Sequence, residues 1–257
     1  MKPQPIARID IRRRYEFHRR PSRGVASQAM HSHTAERLTL TVDRSNTVSA
    51  LFLNPPDAHT CFVLAHGAGA GMEHASMAST ATDLASLGVA TLRFQFPYME
   101  KGSKRPDPPP LCHAAIRSAV AEAARLAPAL PLIAGGRSFG GRMMSQAQAI
   151  GPLPGVRGLA FLGFPLHPAC KPSIERAEHL ANVAIPMLFI QGTRDELATL
   201  TLLEPVVARL GARATLKLLA DADHSFHVPA RTGRKDAEVR LEAMQSLIEW
   251  ARALPDP

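Results

Sequence analysis

Residues 132–143 read Leu-Ile-Ala-Gly-Gly-Arg-Ser-Phe-Gly-Gly-Arg-Met, and this stretch decides the fold. Leu132–Gly135 is a short run of the kind that fills a strand buried on both faces. Phe139–Ala149 then carries a helical pattern. At the junction stands Gly136-x-Ser138-x-Gly140, the context that a nucleophile elbow requires. Such a turn is sharp, so the residues beside the serine must be tiny. Gly136 and Gly140 remove the Cβ atoms that would collide. The turn would lift the Ser138 hydroxyl above the sheet edge and aim a helix N-terminus at it, which favours developing negative charge. The competing reading is a phosphate-binding loop. There is no Gly-Lys-Ser/Thr and no G-x-G-x-x-G order here, so neither nucleotide-binding pattern fits.

Working outward, strands and helices alternate. Arg37–Val42 and Val48–Leu53 suit a hairpin around Asp43–Asn46. Cys61–Ala65 is a buried strand, Met72–Leu87 a helix stopped by Gly88, and Val89–Phe94 the next strand. Lys101–Pro110 is a polar, proline-rich loop before an Ala-rich helix over Cys112–Leu126. Beyond the serine come strands at Val156–Gly163, Met187–Gln191 and Ala214–Ala220. Leu200–Leu210 is a helix between the last two, and a long helix over Asp236–Leu254 closes the chain. This alternation predicts an α/β fold: a doubly wound, mostly parallel sheet with helices on both faces. Only about 23 residues separate Gly163 from Met187, which argues against a large lid domain and for an open, shallow site.

A serine hydroxyl is a weak nucleophile until a base takes its proton. The base should follow the last strand, where Asp221-Ala-Asp-His224-Ser-Phe-His227 lies. His224 falls soonest after the strand, with His227 in reserve. The base needs an acid to fix its tautomer. Met187-Leu-Phe-Ile-Gln-Gly-Thr-Arg-Asp195 is a strand, a turn and an aspartate. Glu196 is the alternative acid, and a helix cap is the plainer role for Asp195. An oxyanion needs preorganised backbone donors. Phe139 N–H is one candidate. The other belongs to His66-Gly-Ala-Gly-Ala-Gly71, with Ala68 first and Gly69 next. His66 reads as orienting this loop at the substrate side rather than reacting. Phe164, Pro165 and His167 follow a strand end and are candidates to line the site, although a proline-rich turn also accounts for His167. Phe94, Phe96 and Tyr98 read equally as an apolar wall by the acyl group or as core. Arg137, Arg142 and Arg194 suit either recognition of an anionic ester or plain charge balance and packing.

These pieces resemble an α/β-hydrolase, near the dienelactone hydrolase-related group. More narrowly they are similar to the family named after a testis-expressed protein and a subunit of the chromatin-bound NSL complex. The matching segments are LAHGAGAGMEH, LRFQFPY, GGRSFGGRM, GFPLHPACKPSIERAEHL, QGTRDEL and DADHSFHVP, spread over about residues 61–229. The resemblance implies Ser138, Asp195 and His224 as a catalytic triad in the order Ser…Asp…His. It supplies no substrate. Dienelactone hydrolases carry a cysteine nucleophile where Ser138 stands, which puts dienelactone cleavage in doubt. Some eukaryotic relatives look like chromatin scaffolds, so a non-catalytic binding protein is the rival expectation.

Composition fits this picture. Apolar residues make up 46% and charged residues 20% of 257, the balance of a soluble globular chain. Residues 36–257 read as a single domain. The three cysteines are odd in number and lack a CxxC pair, which points away from disulfides and zinc and towards a reduced, cytoplasmic setting. No H-E-x-x-H or carboxylate-rich loop occurs, so neither metal nor cofactor is expected. No apolar run reaches the ~18–20 residues of a membrane span. Of the net charge of +8, residues 1–30 hold +6, leaving +2 for the body. Residues 1–35 read as a disordered basic extension, or as sequence ahead of a true start at Met30. A nucleic-acid contact through this segment is the sharper alternative. Two tyrosines and one tryptophan are too few for an aromatic nucleic-acid platform. The expected partner is a small ester or thioester.

Overall fold

A computed structural model describes residues 34–255. The expectations for the basic extension and for Met30 lie outside the described residues. Eight strands form one sheet in the order β1-β2-β4-β3-β5-β6-β7-β8. They are β1 Glu36–Thr41, β2 Thr47–Leu53, β3 Thr60–Ala65, β4 Val89–Phe94, β5 Leu132–Arg137, β6 Val156–Leu162, β7 Met187–Gly192 and β8 Ala214–Leu219. The hairpin β1–β2 and the pair β2–β4 are antiparallel; every later pairing is parallel. The hairpin turn is closed by Asp43, whose Oδ1 accepts Ser45 N–H at 2.7 Å.

Six α-helices cover the sheet: α1 Ala75–Ser86, α2 Pro97–Glu100, α3 Pro109–Leu126, α4 Phe139–Ile150, α5 Leu200–Leu210 and α6 Asp236–Arg252. Every residue of β3, β4 and β7 is buried, as expected of strands with helices on both sides. Alternate residues supply two cores. Cys61, Val63, Phe161 and Phe189 pack towards α3, α4 and α5. Phe62, Leu64, Leu162 and Ile190 pack towards α1 and α6.

One boundary differs from the sequence expectation, one short helix was not foreseen, and the expected lack of a large lid holds among the described residues. Helix α1 begins at Ala75 because His74 caps it, accepting Ser76 N–H on its ring at 3.2 Å. The short α2 occupies a stretch to which the sequence assigned no element, started by Pro97, which is preset for a first helical turn. Between β6 and β7 the described chain forms a 3-10 stretch, Glu175–Asn182, and no helical lid. The sheet order reverses direction at β3, with β4 on one side and β5 on the other. In parallel α/β sheets, the crevice at the carboxyl ends beside such a reversal is where ligands bind.

Candidate active site

Ser138 sits between β5 and α4 with φ 49° and ψ −117°, a left-handed conformation that a serine adopts only under constraint. The surroundings impose it. A Cβ on Gly136 would lie 2.5 Å from Ala65 O, and one on Gly140 would lie 2.5 Å from His66 O. The elbow is therefore pressed against the end of β3. Ser138 N–H donates to Leu162 O at 3.2 Å, tying it to the end of β6.

The structure brings three predicted side chains together. His224 Nε2 lies 2.8 Å from Ser138 Oγ, and His224 Nδ1 lies 2.7 Å from Asp195 Oδ2. An Nδ1–H donated to the carboxylate leaves Nε2 free to accept the serine proton. Asp195 is buried. Its Oδ1 accepts Leu197 N–H at 2.8 Å, and its Oδ2 also accepts from Gln191 Nε2. Gln191 Oε1 in turn accepts Phe164 N–H at 2.9 Å. Gln191 thus locks Asp195 to the chain that leaves β6. The sequence reading passed over it, although it is the one amide side chain in a strand otherwise apolar up to its closing glycine.

The reserves point elsewhere. His227 Nδ1 pairs with Asp236 at 2.9 Å on the surface, and that pairing raises its pKa. Glu196 and Arg194 are exposed. Arg137 turns back to support the His224 backbone: its Nη2 donates to His224 O at 3.3 Å, and its guanidinium lies 5.2 Å from the Phe226 ring centroid.

A cleft of about 400 Å³ opens beside Ser138, with Ala68, Phe139, Met143, Leu197, Asp107, Arg142 and Arg176 among its walls. Ala68 and Phe139 flank the serine, where an oxyanion would need their N–H groups. Gly69 is exposed one residue further out, in open space. A second groove, about 350 Å³, runs between the 3-10 stretch and α5 and contains none of these groups.

Four expected substrate contacts are placed behind the cleft instead. His66 is buried; Phe96 N–H donates to its Nε2 at 3.0 Å, so Nδ1–H donates to Gly67 O at 2.7 Å. Burial pushes its pKa down to about 4. It pins the loop after β3 to the chain after β4. Phe96 and Tyr98 are buried in an aromatic cluster with His66 and Phe139. Tyr98 Oη donates to Ala68 O at 2.9 Å. His167 is buried too; its Nδ1–H donates to Pro168 O at 2.9 Å and its Nε2 accepts Thr199 N–H at 3.2 Å. All four support the walls from within: the rings of His66, Tyr98 and His167 find backbone partners there, and the Phe96 ring packs against other rings. Position after a strand end does not reveal which way a side chain turns.

A family model described as an alpha/beta hydrolase domain matches residues 58–252. The chain belongs to the alpha/beta hydrolase family. Its hydrolase fold is shared by solved structures of low identity. A dienelactone hydrolase from Anabaena variabilis is 20% identical, with a TM-score of 0.70 over 88% of this chain and 100% of that one. An alpha-beta serine hydrolase homologue from Coxiella burnetii is 20% identical, with a TM-score of 0.67 over 83% and 98%. A serine hydrolase without lid from Xanthomonas campestris is 21% identical, with a TM-score of 0.66 over 87% and 97%. At these identities the likeness is one of fold. Among the described residues no helix is long and apolar enough to cross a membrane, and no group of three or more His, Cys, Asp or Glu side chains is placed to hold a metal ion.

Proposed function

We propose that this chain is a cytoplasmic serine hydrolase that cleaves a small carboxylic ester or thioester through an acyl-enzyme. One observation carries the reading: a continuous hydrogen-bonded line from Ser138 Oγ through His224 to a buried Asp195, at 2.8 and 2.7 Å. Ser138 Oγ attacks the carbonyl carbon as its proton passes to His224 Nε2. Asp195 steadies the imidazolium. The oxyanion collects the N–H groups of Phe139 and Ala68. Collapse expels the alcohol or thiol, which leaves with the proton from His224. Water then gives a proton to the same imidazole and attacks the acyl carbon. The acid departs as the proton returns to Ser138. The unpaired cysteines Cys61, Cys112 and Cys170 support the reduced setting. The quoted segments over about residues 61–229 support placing the chain near the testis-expressed/NSL branch of the family.

The test is Ser138→Ala. Turnover of a short p-nitrophenyl ester should fall by about 10⁴-fold or more, with an unchanged melting temperature. A fluorophosphonate probe should label the wild type at Ser138 alone. A folded wild type that takes no label, or a variant that retains full turnover, would leave a non-catalytic binding protein on the same scaffold.

A further inference from the structure

Arg142 and Arg176 both line the cleft beside Ser138. Arg142 is one helical turn beyond Ser138, its N–H donating to Ser138 O at 3.1 Å. Residues so spaced share one side of a helix, roughly 6 Å apart along its axis. Its guanidinium lies 5.8 Å from the Phe139 ring centroid, which holds it at the cleft. Its Nε is buried with no hydrogen-bond partner. Arg176 comes from the 3-10 stretch between β6 and β7, and burial followed by repulsion from Arg176 depresses the pKa of Arg142.

No protein anion answers this pair. Among the described residues neither arginine forms an ion pair, whereas Arg125, Arg234 and Arg240 do. The single carboxylate in the cleft wall, Asp107, already accepts Tyr98 N–H at 2.6 Å. Cys112 beside it is a thiol, its pKa pushed up to about 12 by burial. His179, in contact with Ser145 at 2.7 Å, is pushed down to about 4 by burial and by Arg142. Two half-buried guanidiniums without an ion-pair partner are costly, and an incoming anion relieves that cost.

We propose that Arg142 and Arg176 form an anion subsite for a carboxylate at the far end of the acyl chain, so that the substrate is a half-ester or half-thioester of a short dicarboxylic acid. This rests on Ser138 being the nucleophile. The leaving group must face His224 to take its proton. The cleft walls come from the Ala68 loop, the segment from Pro106 to Pro109, α4, Pro165, the 3-10 stretch and Leu197, with no residue of the His224 loop among them, so the cleft receives the acyl part. The two arginines and Asp107 sum to a single positive formal charge, which suits a carboxylate over a phosphate dianion. Guanidinium forks also match the plane of a carboxylate.

Mono(p-nitrophenyl) glutarate and p-nitrophenyl pentanoate differ only in a terminal carboxylate for a methyl. The wild type should favour the glutarate. Hydrogen bonds to charged groups are worth about 10-fold or more, so Arg142→Gln and Arg176→Gln should each lower the glutarate-to-pentanoate ratio of kcat/KM by about that factor, mainly through KM. Arg142→Lys should retain part of it. A ratio that neither glutamine variant changes overturns the subsite. Arg176→Gln, on a less buried stretch, decides the matter if Arg142→Gln does not fold. A second arm needs no turnover. Calorimetric binding of monomethyl glutarate to Ser138→Ala protein should weaken by about 10-fold when Arg176→Gln is added. If the wild type hydrolyses neither ester, the hydrolase reading falls while this arm still judges the subsite. Equal binding with and without Arg176, or stronger binding of inorganic phosphate, overturns the carboxylate assignment.

Discussion

At the scale of the residue, Ser138 holds a backbone conformation that costs on the order of 1–3 kcal/mol, and its neighbours are small so that the fold can enforce it. Gly140 is the sharpest case. A methyl there would meet His66 O at 2.5 Å and Ala65 C at 2.7 Å, both backbone atoms of a buried strand end that has no room to yield. Gly140→Ala should therefore lose about 1–3 kcal/mol of stability and should reduce ester turnover by more than that loss of folded protein explains. Urea unfolding and steady-state kinetics on the same preparation separate the two effects. Gly69 is the contrast: nothing lies within 4 Å of a Cβ built there. An alanine at that position should leave stability unaltered.

At the scale of the element, the loop after β3 is held from behind by the end of β4 and the chain after it. Gln95 Oε1 accepts Met72 N–H at 2.8 Å, Arg93 Nη1 donates to Met72 O at 3.0 Å, and Tyr98 holds Ala68 O. Burial pushes the Tyr98 phenol well up, so it remains a donor throughout the neutral range. Tyr98→Phe removes this tether while keeping the ring. It should cost about 1 kcal/mol, or roughly fivefold in kcat, with KM nearly unchanged; a change confined to melting temperature would mean that the tether has no bearing on the proposed oxyanion loop. Elements of this kind explain what was legible beforehand. The strands and the order Ser138, Asp195, His224 could be read because each follows an apolar run and a turn, and local pattern encodes both. The inward turn of His66 and His167 could not, since it depends on backbone partners from other segments. Arg176 escaped notice because the local pattern around it does not show that its 3-10 stretch folds over the cleft beside Ser138. Gln191 left a faint signal: a polar side chain at the end of a run destined for the core.

At the scale of the whole molecule, burial of neutral imidazoles ties stability to acidity. His66 and His179 are both pushed down from 6.5 to about 4, by burial first in each case. Above pH 6.5 neither state of the chain binds these protons. Below it the unfolded chain binds them and the folded one does not, so stability falls as pH drops from about 6.5 to about 4. For the fully enclosed His66 the loss is on the order of 3 kcal/mol across that window. Melting temperature should fall steeply between pH 7 and pH 4, and His66→Gln, whatever its own penalty at pH 7, should flatten the slope. A slope identical to that of the wild type would contradict the assignment of a neutral ring.

If the proposed triad acts, the order of its residues along the chain also fixes when the molecule becomes competent. Along the chain the loop carrying Ala68 comes first, then the elbow, then Asp195, and the imidazole arrives last, beyond β8. A polypeptide still leaving the ribosome, or one clipped ahead of residue 224, carries alcohol and carboxylate with nothing to shuttle a proton between water and ester. On the proposed mechanism, translation thereby keeps an open, lidless cleft silent until all eight described strands have been synthesised.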